Sequence, residues 1–335
     1  MTIRIGIIGA GLMGDWHAQR WRRLPVTIAG FYDVAAERAA ELADQYGATA
    51  FASLEGLAKA VDVVQICSPS IYHLEAAQIA AAHGKAIFCE KPLARHGRDA
   101  QEIIAIAEAA GSRLYVGQVL RFFHQYRRAK QALDDGDIGV PWLIRAIRAA
   151  GHAAELGDRR WFADMEMTGG VAYEVSLHDI DFACWCLGPV QRVLARGLSY
   201  REDLPVVADH MLLILEFAGG GIGHIEGNWM VTDGSFRQQF ALVGDAGRID
   251  YDSAPSEALY LSLRVETKPF QLPEEAMHAD EDPYLLQLRH FLAALKAGSP
   301  FAIDAREAWH AVQVAEAATE SMRTGKAVAL PGGAT

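Results

Sequence analysis

The sequence predicts an α/β chain in two parts: a doubly wound parallel sheet in residues 1–118, then an α+β domain with a mostly antiparallel open sheet in residues 119–335. Three observations carry this. The chain opens on a hydrophobic run that leads directly into a glycine-rich turn, Ile3-Arg4-Ile5-Gly6-Ile7-Ile8-Gly9-Ala10-Gly11-Leu12-Met13-Gly14. Up to residue 118, short apolar runs alternate with Ala-rich helical stretches, the rhythm of parallel strands joined by crossover helices. Beyond it the rhythm changes to longer strands joined by turns, as an antiparallel sheet requires. At 335 residues the chain exceeds the usual size of a single domain, which agrees with two cores.

In the first part, strands are expected near 3–8, 26–32, 62–67, 85–89 and 113–117, with helices near 12–23, 34–46, 72–83 and 97–110. In the second, strands are expected near 142–149, 190–200, 210–217, 222–230, 236–243 and 259–265. Ala218-Gly219-Gly220-Gly221 supplies a hairpin turn between two of them. Two helices close the chain, near 283–296 and 304–323. No repeat, low-complexity tract or long linker separates the parts, so the domains are expected to pack closely.

G-x-G-x-x-G between a strand and a helix is the fingerprint of a dinucleotide site. Gly9 permits the tight turn, Gly11 lets the backbone approach a pyrophosphate, and Gly14 allows close helix–sheet packing, with the helix N-terminus facing the phosphates. Ala10, Leu12 and Met13 complete that loop. Asp33 ends the second expected strand about 20 residues further on, where a carboxylate accepts the ribose hydroxyls. It also fits the N-cap of the helix that starts at Val34, and the two roles can coexist. NAD is the expected cofactor. Arg38, one turn past Asp33, could reach the adenine or a 2′-phosphate, which keeps NADP open.

Composition narrows the partners. Hydrophobic residues at 51% and charged residues at 22% are ordinary for a globular protein, and a formal charge of −11 argues against a nucleic-acid or membrane partner. The first strand begins at Ile3 and no apolar run approaches bilayer-spanning length, so a cytoplasmic location is expected. Cys67, Cys89, Cys184 and Cys186 are too few and too scattered for a disulfide framework, and the histidines show no metal-ligand spacing; no metal is assigned.

Two further stretches carry more specific information: Asp62-Val63-Val64-Gln65-Ile66-Cys67-Ser68-Pro69-Ser70-Ile71-Tyr72-His73, and Gly84-Lys85-Ala86-Ile87-Phe88-Cys89-Glu90-Lys91-Pro92. With the glycine turn, they resemble the Gfo/Idh/MocA family of NAD(P)-dependent oxidoreductases, in which a Pro-containing turn follows the fourth strand and Glu-Lys-Pro the fifth. The resemblance covers essentially the whole chain, including Gln118-Val119-Leu120-Arg121-Phe122, Trp161-Phe162-Ala163-Asp164, Gly169-Gly170 and the final helices. Physically, Lys91 places an ammonium at the carboxyl edge of a parallel sheet, where open α/β folds bind ligands and where it can stabilise a developing alkoxide. The resemblance implies that Lys91 is catalytic, with Glu90 beside the cofactor. It also implies that Cys67, Ser68, Pro69 and Ser70 form the loop over the nicotinamide ribose and pyrophosphate.

The third constellation is Gly169-Gly170-Val171-Ala172-Tyr173-Glu174-Val175-Ser176-Leu177-His178-Asp179-Ile180-Asp181, a glycine pair leading into an amphipathic helix. Glu174 and His178, four apart, share one helix face, and histidine is the natural base for taking a hydroxyl proton during alcohol oxidation. The family pattern is G-G-x-x-x-D-x-x-x-H, so the resemblance places both residues in the substrate site, Lys91 and His178 meeting there from different domains. Glu174 departs from the usual aspartate and is read as a ligand for a neighbouring hydroxyl, or as the residue that orients His178. Asp181, one turn on, either tunes the imidazole or serves the helix.

Smaller expectations complete the site. His73 caps the following helix or touches the cofactor, with a purely structural role equally open. Gln118 joins the cofactor set, and with Arg121 faces the cleft at the domain junction. Trp161 and Phe162 could wall the nicotinamide pocket, and Tyr284 could offer a substrate-side hydroxyl. The resemblance implies a dehydrogenase acting on a secondary hydroxyl of a sugar, inositol or related polyhydroxylated substrate. A glycosidase that oxidises its substrate transiently, and a non-catalytic NAD(H)-binding sensor, stay open as alternatives. One face of the second sheet is left for self-association, as a homodimer or homotetramer.

Overall fold

The run Ile3–Ile8 forms β1, and its last four residues are buried because apolar strands of a parallel sheet are covered on both faces. The computed structural model describes residues 2–151, 164–199, 208–229, 231, 236–254 and 282–331. In order, the first elements are β1, α1 (Leu12–Trp21), β2 (Val26–Tyr32), α2 (Ala36–Tyr46), β3 (Thr49–Ala50), α3 (Leu54–Ala60), β4 (Val63–Ile66), α4 (His73–Ala82), β5 (Ala86–Glu90), α5 (Gly97–Ala110) and β6 (Leu114–Gly117). The sheet order is β3-β2-β1-β4-β5-β6, every pair parallel. The order reverses between β1 and β4, the switch point where doubly wound sheets bind ligands at their carboxyl ends.

The second sheet is built from β7 (Pro141–Ala149), β8 (Val190–Leu198), β9 (His210–Phe217), β10 (Ile222–Asn228), β11 (Arg237–Gly244), β12 (Arg248–Asp252) and β13 (Val328–Ala329). Its order is β12-β11-β7-β10-β9-β8-β13, antiparallel throughout except for the β7–β10 pair. The Ala218–Gly221 hairpin forms as the glycine run requires, Gly220 taking a φ of +90°. Helices α6 (His124–Asp134), α7 (Met165–Thr168), α8 (Leu177–Leu187), α9 (Pro283–Ala297) and α10 (Ala305–Thr324) complete the described chain.

Several elements differ from the sequence expectation for identifiable reasons. Helix α3 is nominated only by Ser53, whose Oγ accepts the Gly56 N–H at 3.1 Å as an N-cap. Helix α6 is so polar that only Tyr126 and Ala129 are buried, leaving little periodic signal. Helix α2 begins at Ala36 rather than Val34, because Asp33 draws the Ala35 N–H into a local turn. The strand expected near 259–265 lies outside the described residues.

The chain divides into two compact units, and the first takes back a late segment: Met1–Phe122 with Glu281–Trp309, against Phe123–Asp280 with His310–Thr335. The boundary expected at 118 therefore does not describe a single crossing. The cause is the apolar face of α9. Phe291 sits 5.3 Å from Phe88, 5.6 Å from Tyr115 and 6.2 Å from Trp21 between ring centroids, and with fully buried Leu288 it closes the core over β5 and β6. Asp282 caps this helix, accepting the N–H groups of Tyr284 and Leu285 at 3.1 and 3.2 Å, with Pro283 at its first position. Phe291→Ala should destabilise the protein by about 3–5 kcal/mol in denaturant unfolding, the scale for truncating a fully buried ring.

Candidate functional site

Two loops meet at the carboxyl edge of the first sheet. Cys67 N–H donates to Ile8 C=O at 2.7 Å and Gly9 N–H to Tyr32 C=O at 2.8 Å, so the turns after β1, β2 and β4 are tied backbone to backbone. Gly9 has a φ of +95°, and a Cβ there would stand 2.7 Å from the Cys67 carbonyl and the Ser68 nitrogen. At Gly14 a Cβ would stand 2.0 Å from Gly9 O, which is the close helix–sheet approach expected of the third glycine. Gly11 is different: a Cβ there meets nothing within 4 Å. Its missing side chain leaves open a cradle at the start of α1, whose N-terminal N–H groups carry no side-chain cap. Ala10 is buried and Leu12 half exposed in this loop, Met13 lying between them in exposure.

Asp33 holds the second wall. Its Oδ2 accepts the Ala10 N–H at 2.7 Å and its Oδ1 the Ala35 N–H at 2.9 Å, so it is fixed by backbone rather than capping α2. A carboxylate has about four acceptor sites, which leaves two for ribose hydroxyls. Val34 and Arg38 are exposed beside it. Fully buried Gln118 follows β6, and neither its amide oxygen nor its nitrogen has a hydrogen-bond partner among the described residues; the same holds for the Ser68 hydroxyl. Orphaned buried polar atoms of this kind call for a ligand or water. Together with the bare cradle at Gly11, they fit a dinucleotide.

His73 is structural. Its Nε2 lies 2.8 Å from Ser68 O and its Nδ1 3.3 Å from Cys89 Sγ. Nδ1 also lies 3.2 Å from Leu93 O, so both ring nitrogens are engaged inside the fold, and burial holds this imidazole below its usual range. The ring thus braces the Ser68-Pro69-Ser70 loop; within that loop Pro69 is half-buried and Ser70 buried.

The Glu-Lys-Pro turn closes β5. Lys91 is half-buried, and the Lys91–Pro92 peptide is cis. Glu90 is engaged by the protein itself. It is buried, with Oε1 2.6 Å from His17 Nε2 and Oε2 accepting the Lys91 N–H at 3.1 Å. Arg121 is likewise engaged within the first unit: it is buried and paired with Glu307 at 2.5 Å. Tyr284 is half-buried, its ring 5.7 Å from Trp16 and 5.9 Å from His17. Trp161 and Phe162 lie outside the described residues.

In the second unit, Gly169 and Gly170 have φ of +81° and +69°, and a Cβ on either would collide with Tyr173 or Met165. The chain then enters a π-helical turn, Ala172–Ser176, before α8. Such turns recur at functional sites. Gly227 on β10 makes room for it, since a Cβ there would strike Ser176 Oγ. From residue 168 to residue 183 every residue is buried except Glu174 and His178. Glu174 and His178 are therefore the residues that are partly exposed within this segment. Asp181 is buried.

Sequence reasoning missed what holds this turn. Arg148 on β7 donates from Nε to Asp179 Oδ2 at 2.8 Å and from Nη2 to Asp179 Oδ1 at 3.0 Å. It also donates to Tyr126 Oη at 3.2 Å, which in turn donates to Gln238 at 3.1 Å. All four are buried. Burial pushes the Tyr126 hydroxyl and the Asp179 carboxyl above their usual ranges. The signal lay in strand period: Arg148 shares the inward face of β7 with Ile144 and Ala146, where a charge requires a buried partner.

A family model described as an oxidoreductase family with an NAD-binding Rossmann fold matches residues 3–118, and one for the GFO/IDH/MocA C-terminal domain matches residues 126–250. The chain belongs to the Gfo/Idh/MocA oxidoreductase family. Among curated members, it is 30% identical to inositol 2-dehydrogenase 1 of Saccharopolyspora erythraea, over 98% of this chain and 96% of that one. It is 26% identical to myo-inositol 2-dehydrogenase of Thermotoga maritima, over 98% of each chain. Its fold matches that of a Lactobacillus casei scyllo-inositol dehydrogenase solved with NAD(H) and scyllo-inositol, at a TM-score of 0.82 and 23% identity, covering 98% of this chain and 99% of that one. This Gfo/Idh/MocA protein is thus an oxidoreductase built on an NAD-binding Rossmann fold. Among its described residues no helix is long and apolar enough to cross a membrane.

The buried clamp behind the π-helical turn is open to test. Arg148→Ala strands Asp179 as an uncompensated buried charge and should cost about 3–5 kcal/mol in denaturant unfolding. Arg148→Met with Asp179→Leu should recover much of that stability, because removing both partners leaves no unpaired charge.

Proposed function

We propose that this protein oxidises a secondary hydroxyl of an inositol or a closely related polyol, with Lys91, Glu174 and His178 as its working side chains. The observation that carries the reading is the emergence of Glu174 and His178 alone from an otherwise buried segment after a glycine pair in left-handed geometry, in a chain similar from end to end to inositol 2-dehydrogenases. When bound, the nicotinamide accepts the hydride from the carbinol carbon. His178 takes the hydroxyl proton as the C–O bond becomes a carbonyl. Lys91 stabilises the negative charge that develops on that oxygen before the hydride leaves. Glu174 accepts a hydrogen bond from a neighbouring hydroxyl; its extra methylene relative to the aspartate usual in the family shifts that contact by about one bond length, which tunes the choice among polyols. Gln118, Ser68 and Asp33 belong to the cofactor side of the reading.

We also propose that the protein self-associates through the uncovered face of the second sheet. Leu194, Leu212, Ile214 and Ile222 are 37–49% exposed there, and Leu194 and Ile214 are cross-strand partners, making a continuous apolar strip on neighbouring strands. The four cysteines are free, in keeping with a reducing, cytoplasmic setting.

With NAD and myo-inositol, Lys91→Ala should lower turnover by about 10²–10³ and His178→Ala by about 10²–10⁴, while both variants still bind NADH. Wild-type oxidation should speed up as rising pH deprotonates the base, and that limb should vanish in His178→Ala; its persistence would assign the proton to another group. Absence of net NADH accumulation during substrate consumption would favour the transient-oxidation glycosidase instead. Light scattering should give a multiple of 36.5 kDa, and Ile214→Arg should shift it toward the monomer without unfolding.

A further inference from the structure

The carboxylate of Glu90 is buried between two donors that belong to different parts of the dinucleotide half. Oε2 accepts the N–H of Lys91, the residue that follows it. Oε1 lies 2.6 Å from Nε2 of His17, on α1 one turn past Gly14, and the ring of His17 has no solvent exposure. Phe88 and Tyr284 enclose that ring edge-on at 5.5 and 5.9 Å. Space for the carboxylate comes from Gly117 at the end of β6, where a Cβ would stand 2.8 Å from Oε1. Nδ1 of His17 has no hydrogen-bond partner among the described residues, so the tautomer that strands no N–H carries its proton on Nε2 and donates to Glu90.

We propose that His17 is a positioning residue for Lys91, acting through Glu90. The glycine-turn helix thereby sets the backbone from which the lysine side chain departs. The carboxylate cannot rotate without abandoning the buried His17 donor or the partly buried Lys91 N–H, so with His17 present the Lys91 N–H is held at one position. Without His17 the carboxylate is released on one side, and the turn that aims the ammonium loosens with it. A displacement of about 1 Å in a catalytic group costs on the order of 10²-fold in rate. The inference rests on the reading of Lys91 as the cation that stabilises the alkoxide.

The test is a double-mutant cycle of wild type, His17→Ala, Lys91→Ala and the double variant, with His17→Gln as the conservative control. Three quantities are read: kcat for NAD reduction with myo-inositol, the Kd for NADH by fluorescence, and the ¹³C resonance of reductively methylated Lys91, assigned by its loss in Lys91→Ala. His17→Ala should lower kcat by about 10–100-fold, leave the Kd unchanged, and shift or broaden the Lys91 resonance. His17→Gln, which retains an N–H donor, should recover part of both and covers the case in which alanine fails to fold. In the Lys91→Ala background, His17→Ala should cost nothing further in kcat, because the group it aims is gone. Additive losses, or a Lys91 resonance unmoved by His17→Ala, would overturn the proposal. An undiminished kcat in Lys91→Ala would sink the reading of Lys91, and the resonance alone would then decide whether His17 fixes that turn; it decides equally if myo-inositol is not oxidised by the wild type.

Discussion

The dinucleotide half depends on how closely three backbone loops approach at the carboxyl edge of the parallel sheet. A side chain at Gly9 would lie within 2.7 Å of the turn after β4, and one at Gly14 within 2.0 Å of Gly9 O. Neither approach tolerates a Cβ, and both are needed before the N-terminal N–H groups of α1 can be presented beside the Asp33 carboxylate. Later features build on this contact: the Ser68 loop is braced by His73, and the Lys91 turn is reached from the same helix through His17 and Glu90.

The second unit meets a comparable demand by other means. Its π-helical turn is laid on the sheet through Gly227, pinned by the Arg148–Asp179 pair, and started by two glycines in left-handed geometry. A buried ion pair is poor value as a source of stability, since desolvation offsets much of the attraction. Its use here is geometric. Asp179 is the neighbour of His178 in sequence, so fixing one fixes the backbone of the other, and the bidentate contact with Arg148 allows little rotation.

What the sequence discloses follows the range of the interactions involved. The glycine turn, Asp33, Lys91 and the Glu174–His178 pair are legible because local backbone geometry, or a fixed spacing on one segment, restricts which residues can stand there. The partners of Glu90 and Arg121 are not legible: His17 lies 73 residues from Glu90 and Glu307 lies 186 residues from Arg121. Both side chains look like ligand-binding groups until those partners arrive and occupy them. Helix α9 reads as helical from its own periodicity, yet nothing local tells that its Phe291 completes a core laid down some 200 residues earlier by Phe88 and Tyr115. The bend into a π turn leaves no compositional mark beyond the glycines before it.

Cys89 lies at the end of the same strand as Lys91's turn, wholly buried, with burial and the Glu90 carboxylate pushing its thiol well above the usual range. Alkylating agents and peroxides attack the thiolate, so the native fold shields this sulfur from both. Its modification requires transient opening of the fold around the carboxyl end of β5. Thiol labelling at Cys89 would therefore act as a clock for breathing of the sheet edge, and a cofactor seated on that edge would slow it.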